Sequence, residues 1–112
     1  MDCLFCKIVS GDIPSKKIYE DDRVLAFYDI DPKAPVHFLV IPKDHIKNVL
    51  EIPSKKLDIV SHIFKVIQNI AVELNLNEGF RIVNNCGEQG GQTVDHLHFH
   101  VLGGRNLGWP PG

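Results

Sequence analysis

An alternating run near the end of the chain, His96-Leu97-His98-Phe99-His100, restricts the possible folds more than any other feature. Successive side chains of a β-strand point to opposite faces of the sheet, so the alternation predicts a strand over His96 to Leu102, ended by Gly103-Gly104. The apolar residues of the run, continued by Val101, are expected to face the core. The three imidazoles must then share the opposite face of the same strand.

Hydrophobic periodicity and turn residues predict the remaining elements. The first is a short helical turn at residues 4–9, closed by Gly11, and a hairpin follows from Lys17 to Asp31 around Glu20-Asp21-Asp22. A third strand runs from His37 to Ile41 and is ended by Pro42. A long amphipathic helix follows Pro53, and a fourth strand runs from Phe80 to Val83. Together with the histidine run, this order predicts an α+β fold, in which an antiparallel five-stranded sheet packs with one long helix and a short N-terminal helix.

The long helix is the clearest of these elements. It follows Pro53, with Ser54 as the expected N-cap, and it stops near Asn75 to Gly79. His62 lies beyond the apolar stripe and is expected on the solvated surface. The apolar residues at helical spacing, which are expected to cover one face of the sheet, are Leu57, Val60, Ile63, Phe64, Ile67, Ile70, Ala71 and Leu74.

Length and composition bound the domain count and exclude some partners. A chain of 112 residues, 44% of them hydrophobic, fits one domain over residues 1–112. The net charge is −2 and no Lys/Arg block occurs, so no general binding to nucleic acid is expected. Because no leader pattern or long apolar segment is seen, we expect a cytoplasmic protein that does not insert in a membrane. The three cysteines are then expected to be thiols or metal ligands rather than disulfides.

A glycine-rich loop over residues 84–93 lies directly upstream of the histidine run. Glycines let backbone N–H groups approach an anion closely, and Asn85, Gln92 and Thr93 add neutral hydrogen-bond donors. A loop of this kind is by itself often only a turn. Placed three residues before the first histidine of the run, it favours a phosphate pocket beside a nitrogen nucleophile.

Two other interpretations of the histidine run stay open at this point. A half-exposed strand can carry polar side chains that have no chemical role. His-x-His on a strand can also offer two nitrogens to one metal ion.

These motifs taken together resemble the histidine triad (HIT) family, in its Hint branch of nucleoside phosphoramidases. The family signature, His-φ-His-φ-His-φ-φ with φ an apolar residue, is matched by His96 to Leu102. The ending Trp109-Pro110-Pro111-Gly112 is similar to the Hint branch rather than to the fragile-histidine-triad hydrolases, and His100 stands where the uridylyltransferase branch carries Gln. Further matching segments are Ile13-Pro14-Ser15-Lys16, Tyr19-Glu20-Asp21-Asp22, Ala26 to Ile30, Ala34 to Lys43 and Gly90 to Val94.

The resemblance implies a HIT-like fold and a hydrolase acting at the α-phosphate of purine nucleoside phosphoramidates, such as AMP joined to an amine or to lysine. His98 is then the nucleophile, which forms a nucleotidyl-histidine that water cleaves. His100 contacts the phosphate and helps to protonate the departing amine, and His37 is the fourth histidine of the family. The implied nucleotide-binding residues are Asp29 at the ribose, Asn85, Gly91, Gln92, Thr93 and Val94 around the phosphate, and Phe5, Ile8, Ile30 and Leu39 around the base.

The resemblance also implies a homodimer, in which two sheets join edge to edge and the Trp109 tail reaches the partner's active site. An alternative to the enzyme is a non-catalytic nucleotide-binding or regulatory interaction module of the same fold. The complete set of histidines favours the enzyme.

Structural zinc takes four nitrogen or sulfur ligands, and the pair Cys3-x-x-Cys6 has the spacing to supply two of them. His45 and His96 are the best candidates for the other two ligands, and many bacterial relatives have a similar zinc-binding pattern. The alternative is a pair of reduced thiols on a short helix. Cys86, in the glycine-rich loop, is not expected to be a ligand, and no cofactor beyond zinc is implied.

Overall fold

Five strands form one antiparallel sheet in the computed structural model of the chain, which describes residues 3–112. The strands lie side by side in the order β1-β2-β3-β5-β4. This arrangement, with one long and one short helix, confirms the fold predicted from the sequence. The elements are α1 (Leu4–Ser10), β1 (Lys17–Glu20), β2 (Val24–Tyr28), β3 (Val36–Pro42), α2 (Asp58–Glu73), β4 (Phe80–Val83) and β5 (Phe99–Gly103), with two 3-10 turns at Val49–Glu51 and Ser54–Lys56.

The centre of the sheet is buried on both faces. Strand β3 pairs with β2 from Val24 opposite Pro42 to Tyr28 opposite Phe38, and with β5 on its other side. Alternate side chains of β2 and β3 therefore enter two separate apolar clusters, one on each face of the sheet. Such a continuous apolar run is what a central strand requires, since neither of its faces meets water.

Helix α2 covers one face of the sheet, but it begins later than the sequence predicts. Ser54 is not its N-cap, because Ser54–Lys56 form a separate 3-10 turn and the α-helix begins only at Asp58. Leu57 occupies the N-cap position without a side-chain bond. Of the predicted stripe, Leu57 and Phe64 are exposed, and Ile59 and Val66 are buried in their place. No helix within residues 3–112 is long and apolar enough to cross a membrane.

The short helix α1 covers the other face. Its buried residues Phe5 and Ile8 pack against Leu25, Phe27, Leu39 and Ile41. The helix ends at Gly11, whose φ of 88° is readily adopted only by glycine. Cys3 caps the other end, since its sulfur accepts a hydrogen bond from the Cys6 N–H. Helix α1 thus brings both cysteines and an apolar wall to the face that carries the histidines.

Strand β5 is shorter than the sequence predicts, because its paired residues begin at Phe99 rather than His96. Residues 96–98 are held instead by single bonds, such as the Leu97 N–H to the Ile46 carbonyl at 2.6 Å. The alternation of faces is nevertheless present: Leu97, Phe99 and Val101 belong to the cluster under α2. The histidines lie on the side of α1.

The turn between β1 and β2 is organised by the Asp21 carboxylate. One carboxylate oxygen accepts hydrogen bonds from the backbone N–H groups of Arg23 and Val24, and the other contacts Tyr19 Oη and His62 Nε2 at 2.7 Å each. His62 is therefore a half-buried partner of Asp21 rather than the solvated residue expected from the sequence. Burial by itself acts to raise the pKa of Asp21, but these four hydrogen bonds outweigh it and hold the pKa well below its usual range.

We expect Asp21→Ala to lower the free energy of unfolding at pH 7 by about 2–3 kcal/mol, because it leaves several donors unpaired. The pKa of Asp21 is lowered in the folded state, so its contribution is present above the unfolded pKa of about 4 and is lost as the pH falls below it. Urea unfolding at pH 7 and pH 3 measures both effects, and the difference between variant and wild type should shrink at pH 3. The exposed neighbour offers a matched control, Asp22→Ala, and an equal loss in both variants would contradict the assignment.

Candidate functional site

An apolar cavity of about 310 Å³ lies between α1 and the sheet and reaches the rings of His98 and His100. All four residues expected around a base line this cavity, and Ile30 is 99% exposed at its rim. Asp29, Thr93 and Val94 line it as well. The fold therefore brings an apolar chamber, a carboxylate and two imidazoles to one place.

Several further residues of the cavity were missed from the sequence: Leu4, Ile13, Pro14, Ser15, Phe27 and Tyr28. Phe27 had a usable signal, since alternation along β2 places it on the face opposite Val24 and Ala26. An apolar second face of a central strand requires a cover, and α1 provides it. Leu4 begins α1, the segment from Ile13 to Ser15 follows that helix, and Tyr28 ends β2. No periodicity predicts that these residues reach the cavity.

The ring of His98 is fixed with one nitrogen available. Its Nδ1 lies 2.7 Å from the His96 carbonyl oxygen, and because a carbonyl can only accept, Nδ1 carries the proton. The unprotonated Nε2 keeps its lone pair. Phe5 packs edge-on against the ring at 5.1 Å, and the side chain is nearly buried. Burial lowers the pKa of His98, although the bond to His96 and the charge of Asp29 oppose this, so the ring is neutral near pH 7.

Two consecutive hydrogen bonds, from Lys33 to His37 and from His37 to His100, set the tautomer of His100. The Lys33 backbone N–H donates to His37 Nδ1 at 3.1 Å, so the proton of the neutral His37 ring lies on Nε2. That Nε2 donates to His100 Nδ1 at 2.9 Å. The remaining proton of His100 is then on its own Nε2. His98 and His100 therefore present opposite functions, a lone pair and an N–H donor.

Burial also controls the charge of the His37 and His100 rings. It lowers the pKa of His37, against the attraction of Asp29. Burial, together with the charges of His98 and His37, lowers the pKa of His100 to about 4. Without a ligand, both rings are neutral near pH 7. A bound phosphate raises such a pKa, because negative charge favours the protonated imidazole.

Asp29, His37 and His100 also lie close enough to hold a metal ion. The carboxylate is 3.4 Å from His37 Nε2 and 4.0 Å from His100 Nδ1. Metal binding at His37 Nε2 requires the ring proton on Nδ1, but Nδ1 accepts a hydrogen bond from Lys33. The hydrogen-bond pattern thus favours a fixed pair of neutral rings at this cluster over a metal site.

The glycine-rich loop folds largely on itself. Gln92 Oε1 accepts from the Gly87 N–H, and Gln92 Nε2 donates to the carbonyls of Lys47 and Val94. Both ends of this amide therefore support the loop, and its NH2 group is not the free donor that the sequence suggested. A side chain at Gly90 would collide with the Cys86 backbone, and Gly91 has a φ of 82°. Neither Asn85 nor Gly91 lines the cavity.

Asn84 was missed from the sequence. Its side-chain Nδ2 donates a hydrogen bond to the His98 carbonyl oxygen at 2.9 Å. Nothing in the sequence distinguishes Asn84 from its neighbour Asn85, because both stand at the start of the same loop.

The four residues predicted as metal ligands, Cys3, Cys6, His45 and His96, form a second cluster. His96 Nδ1 lies 3.4 Å from the Cys3 sulfur and 3.5 Å from the Cys6 sulfur, and His45 Nδ1 lies 3.3 Å from the Cys6 sulfur. Bonds of about 2.3 Å to sulfur and about 2.0 Å to nitrogen place S and N roughly 3.5 Å apart around a tetrahedral zinc. The measured separations fit this geometry.

The surroundings of the cluster also fit a metal. His96 Nε2 donates to the Pro42 carbonyl at 2.8 Å, which keeps its proton away from Nδ1 and leaves that nitrogen free for coordination. Burial lowers the pKa of His96, against the bond to Pro42, and a neutral ring is the form that binds metal. In the absence of a cation, burial and the neighbouring Cys3 raise the pKa of Cys6 to about 11, so metal binding at this sulfur must release its proton. Cys86 is not part of the cluster.

Comparison with known proteins identifies the family of the chain. Residues 10–107 match the HIT domain. The 14 kDa zinc-binding protein of Brassica juncea is 47% identical over 113 residues, covering 99% of this chain and 100% of the relative. Adenylylsulfatase HINT1 of Arabidopsis thaliana is 46% identical over 111 residues, covering 97% of this chain and 76% of the relative.

Solved structures are similarly close. A histidine triad protein from Clostridium difficile has a TM-score of 0.94 at 58% identity, covering 96% of this chain and 95% of that one. A HIT family hydrolase from Legionella pneumophila has a TM-score of 0.96 at 44% identity, covering 99% and 100%. The chain belongs to the HIT family, which confirms the resemblance inferred from the histidine run.

Proposed function

We propose that this protein hydrolyses purine nucleoside phosphoramidates at the α-phosphorus, through a covalent nucleotide on His98. The observation that carries this proposal is the bond from His98 Nδ1 to the His96 carbonyl, which leaves a neutral lone pair on Nε2 at the end of the cavity. The names of two relatives support hydrolysis, one a HIT family hydrolase and the other an adenylylsulfatase.

The cavity divides into parts that suit the parts of a nucleotide. Its apolar walls, which include Phe5, Ile8 and Leu39, suit a purine base. The Asp29 carboxylate accepts hydrogen bonds from ribose hydroxyls. The phosphate then lies against His98 and His100, with Thr93 beside it, and Asn85 is a further phosphate contact implied by the family resemblance. This order places phosphorus next to the nucleophile.

The reaction proceeds in two balanced steps. His98 Nε2 attacks phosphorus and forms an N–P bond, while the bond from phosphorus to the leaving nitrogen breaks. The bound phosphate raises the pKa of His100, so its ring takes up a second proton from solvent at Nδ1, and the Asp29 carboxylate, 3.4 Å from His37 Nε2 and 4.0 Å from His100 Nδ1, accepts hydrogen bonds from these two N–H groups. The proton on His100 Nε2 then passes to the departing amine and leaves a neutral ring. Water then attacks phosphorus, gives a proton back to His100 Nε2 and releases the nucleoside monophosphate, which restores the lone pair on His98.

We expect the protein mixed with adenosine 5′-phosphoramidate to gain one adenylyl group, as measured by intact mass after rapid quenching. His98→Asn should form no adduct and hydrolyse at least about a thousandfold more slowly, because the nucleophile is lost. His100→Asn should slow hydrolysis about 100- to 1000-fold.

His62→Asn serves as the control, since His62 lies outside the cavity, and it should react like the wild type. Tight AMP binding without any adduct or turnover in the wild type would instead support a nucleotide-binding or regulatory module.

We also propose that Cys3, Cys6, His45 and His96 bind one structural zinc ion. The donor set, the S–N separations and the bond from His96 to Pro42 support this, and two relatives are named zinc-binding proteins. Zinc would hold the two thiolates and so fix α1 on the sheet, while His98 stays free for chemistry.

Protein purified without added zinc should contain about one zinc per chain by elemental analysis. Cys6→Ser should lose the metal and melt at a lower temperature, because metal binding is coupled to folding. Cys86→Ser should keep it. The absence of stoichiometric metal from the wild type would remove the proposal, and loss of hydrolysis in chelator without any adduct would indicate a metal-dependent hydrolase instead.

We propose, finally, that the protein is a homodimer joined through the β4 edge. Phe80 on β4 and Trp109 in the tail are exposed apolar residues, and Arg81 Nη2 donates to the Gly108 carbonyl at 2.7 Å, which ties the tail to that edge. A sheet edge and apolar side chains on the same side favour a partner.

Light scattering should give about twice the 12.6-kDa chain mass. Phe80→Glu should shift the mass toward a single chain, because it places charge in the contact. Leu50→Glu, at an exposed position in another part of the chain, should not. A wild-type mass of one chain at micromolar concentration would overturn the dimer.

A further inference from the structure

The candidate nucleophile lies just beyond the paired part of its strand. Strand β5 begins at Phe99, and its outermost pair with β4 joins His100 to Val83. The regular ladder therefore stops before it reaches His98. A nucleophile needs an accurately placed ring, so another interaction must hold this part of the backbone.

Asn84 supplies that interaction. It follows Val83 directly at the end of β4, and its Nδ2 donates to the His98 carbonyl at 2.9 Å. A side-chain amide thus continues the β4–β5 contact one step beyond the paired strands. The bond is partly buried, so competition from water is limited.

The other restraints on His98 act on its ring. The His96 carbonyl holds Nδ1, and Phe5 packs edge-on against the ring. Neither contact fixes the peptide from which the ring projects. Asn84 acts on that peptide, and it does so from outside the cavity, because it does not line it.

We propose that Asn84 is a positioning residue, whose amide holds the backbone of His98 so that Nε2 lies in line with the attacked phosphorus. This inference rests on the proposed function, since in-line attack is the step that benefits. Asn84 touches no substrate, and its role differs from the phosphate contact expected of Asn85. Because a carbonyl only accepts hydrogen bonds, an aspartate of the same shape cannot replace the amide.

The test uses Asn84→Asp and Asn84→Ala, with Asn77→Asp as a matched control at an exposed position. In single turnovers with adenosine 5′-phosphoramidate, both Asn84 variants should form the His98 adduct about 10- to 100-fold more slowly. Their dissociation constants for AMP and their melting temperatures should stay close to wild type. Asn77→Asp should match the wild type in every measurement.

A second measurement is independent of the reaction. In ¹⁵N-labelled protein without ligand, the His98 ring of the wild type should give one set of signals, with the proton on Nδ1. In the Asn84 variants these signals should shift or broaden, because the ring samples more than one position.

The outcomes separate the two ideas. Asn84 variants with unchanged adduct rates and unchanged His98 signals overturn the inference. A rate that falls only together with AMP affinity and stability also overturns it, because that pattern shows a general structural role. If the wild type forms no adduct, the proposed function fails, and the ring signals alone then decide whether Asn84 positions His98.

Discussion

The buried residue His96 joins the parts of the molecule on which the site depends. Its Nε2 donates a hydrogen bond to the Pro42 carbonyl at the end of β3, and its Nδ1 faces the thiols of Cys3 and Cys6. Its carbonyl accepts a hydrogen bond from His98 Nδ1. Nε2 carries the ring proton and can only donate, whereas the carbonyl can only accept. The ring and the peptide of His96 therefore have a single arrangement. One residue therefore fixes the positions of the central strand, the N-terminal helix and the candidate nucleophile relative to one another.

The direction of the hydrogen bonds then separates the roles of the other histidines. A backbone carbonyl fixes the proton of His98 on Nδ1, whereas a backbone N–H from Lys33 fixes that of His37 on Nε2. The first arrangement leaves a lone pair of His98 at the cavity. The second directs the N–H group of His37 toward Nδ1 of His100. Chemically identical side chains thus acquire different functions, because the backbone groups beside them differ in kind.

Much of the fold could be predicted from local pattern, and two of the errors share a cause. The central strand β3 and the two strands of the β1–β2 hairpin follow from apolar runs and turn residues, which act over a few neighbours. His62 and the start of β5 were wrong because distant residues decide them, whereas Ser54 was wrong because a local 3-10 turn precedes the helix. Asp21 holds His62 across 41 positions, and the Ile46 carbonyl holds Leu97 in place of a strand partner. In the site, Gln92 is held by Lys47 for the same reason.

The sequence by itself determined that the three imidazoles of the alternating run point to one side of the sheet, and that two cysteines with two more histidines fit a metal. Both conclusions need only the two-residue period of a strand and the spacing of ligands. The tertiary structure alone decided which imidazole keeps a lone pair, which presents an N–H group and which faces the thiols. These roles depend on carbonyl and N–H groups from Pro42, Lys33 and His96, whose directions are set by packing and leave no trace in residue type.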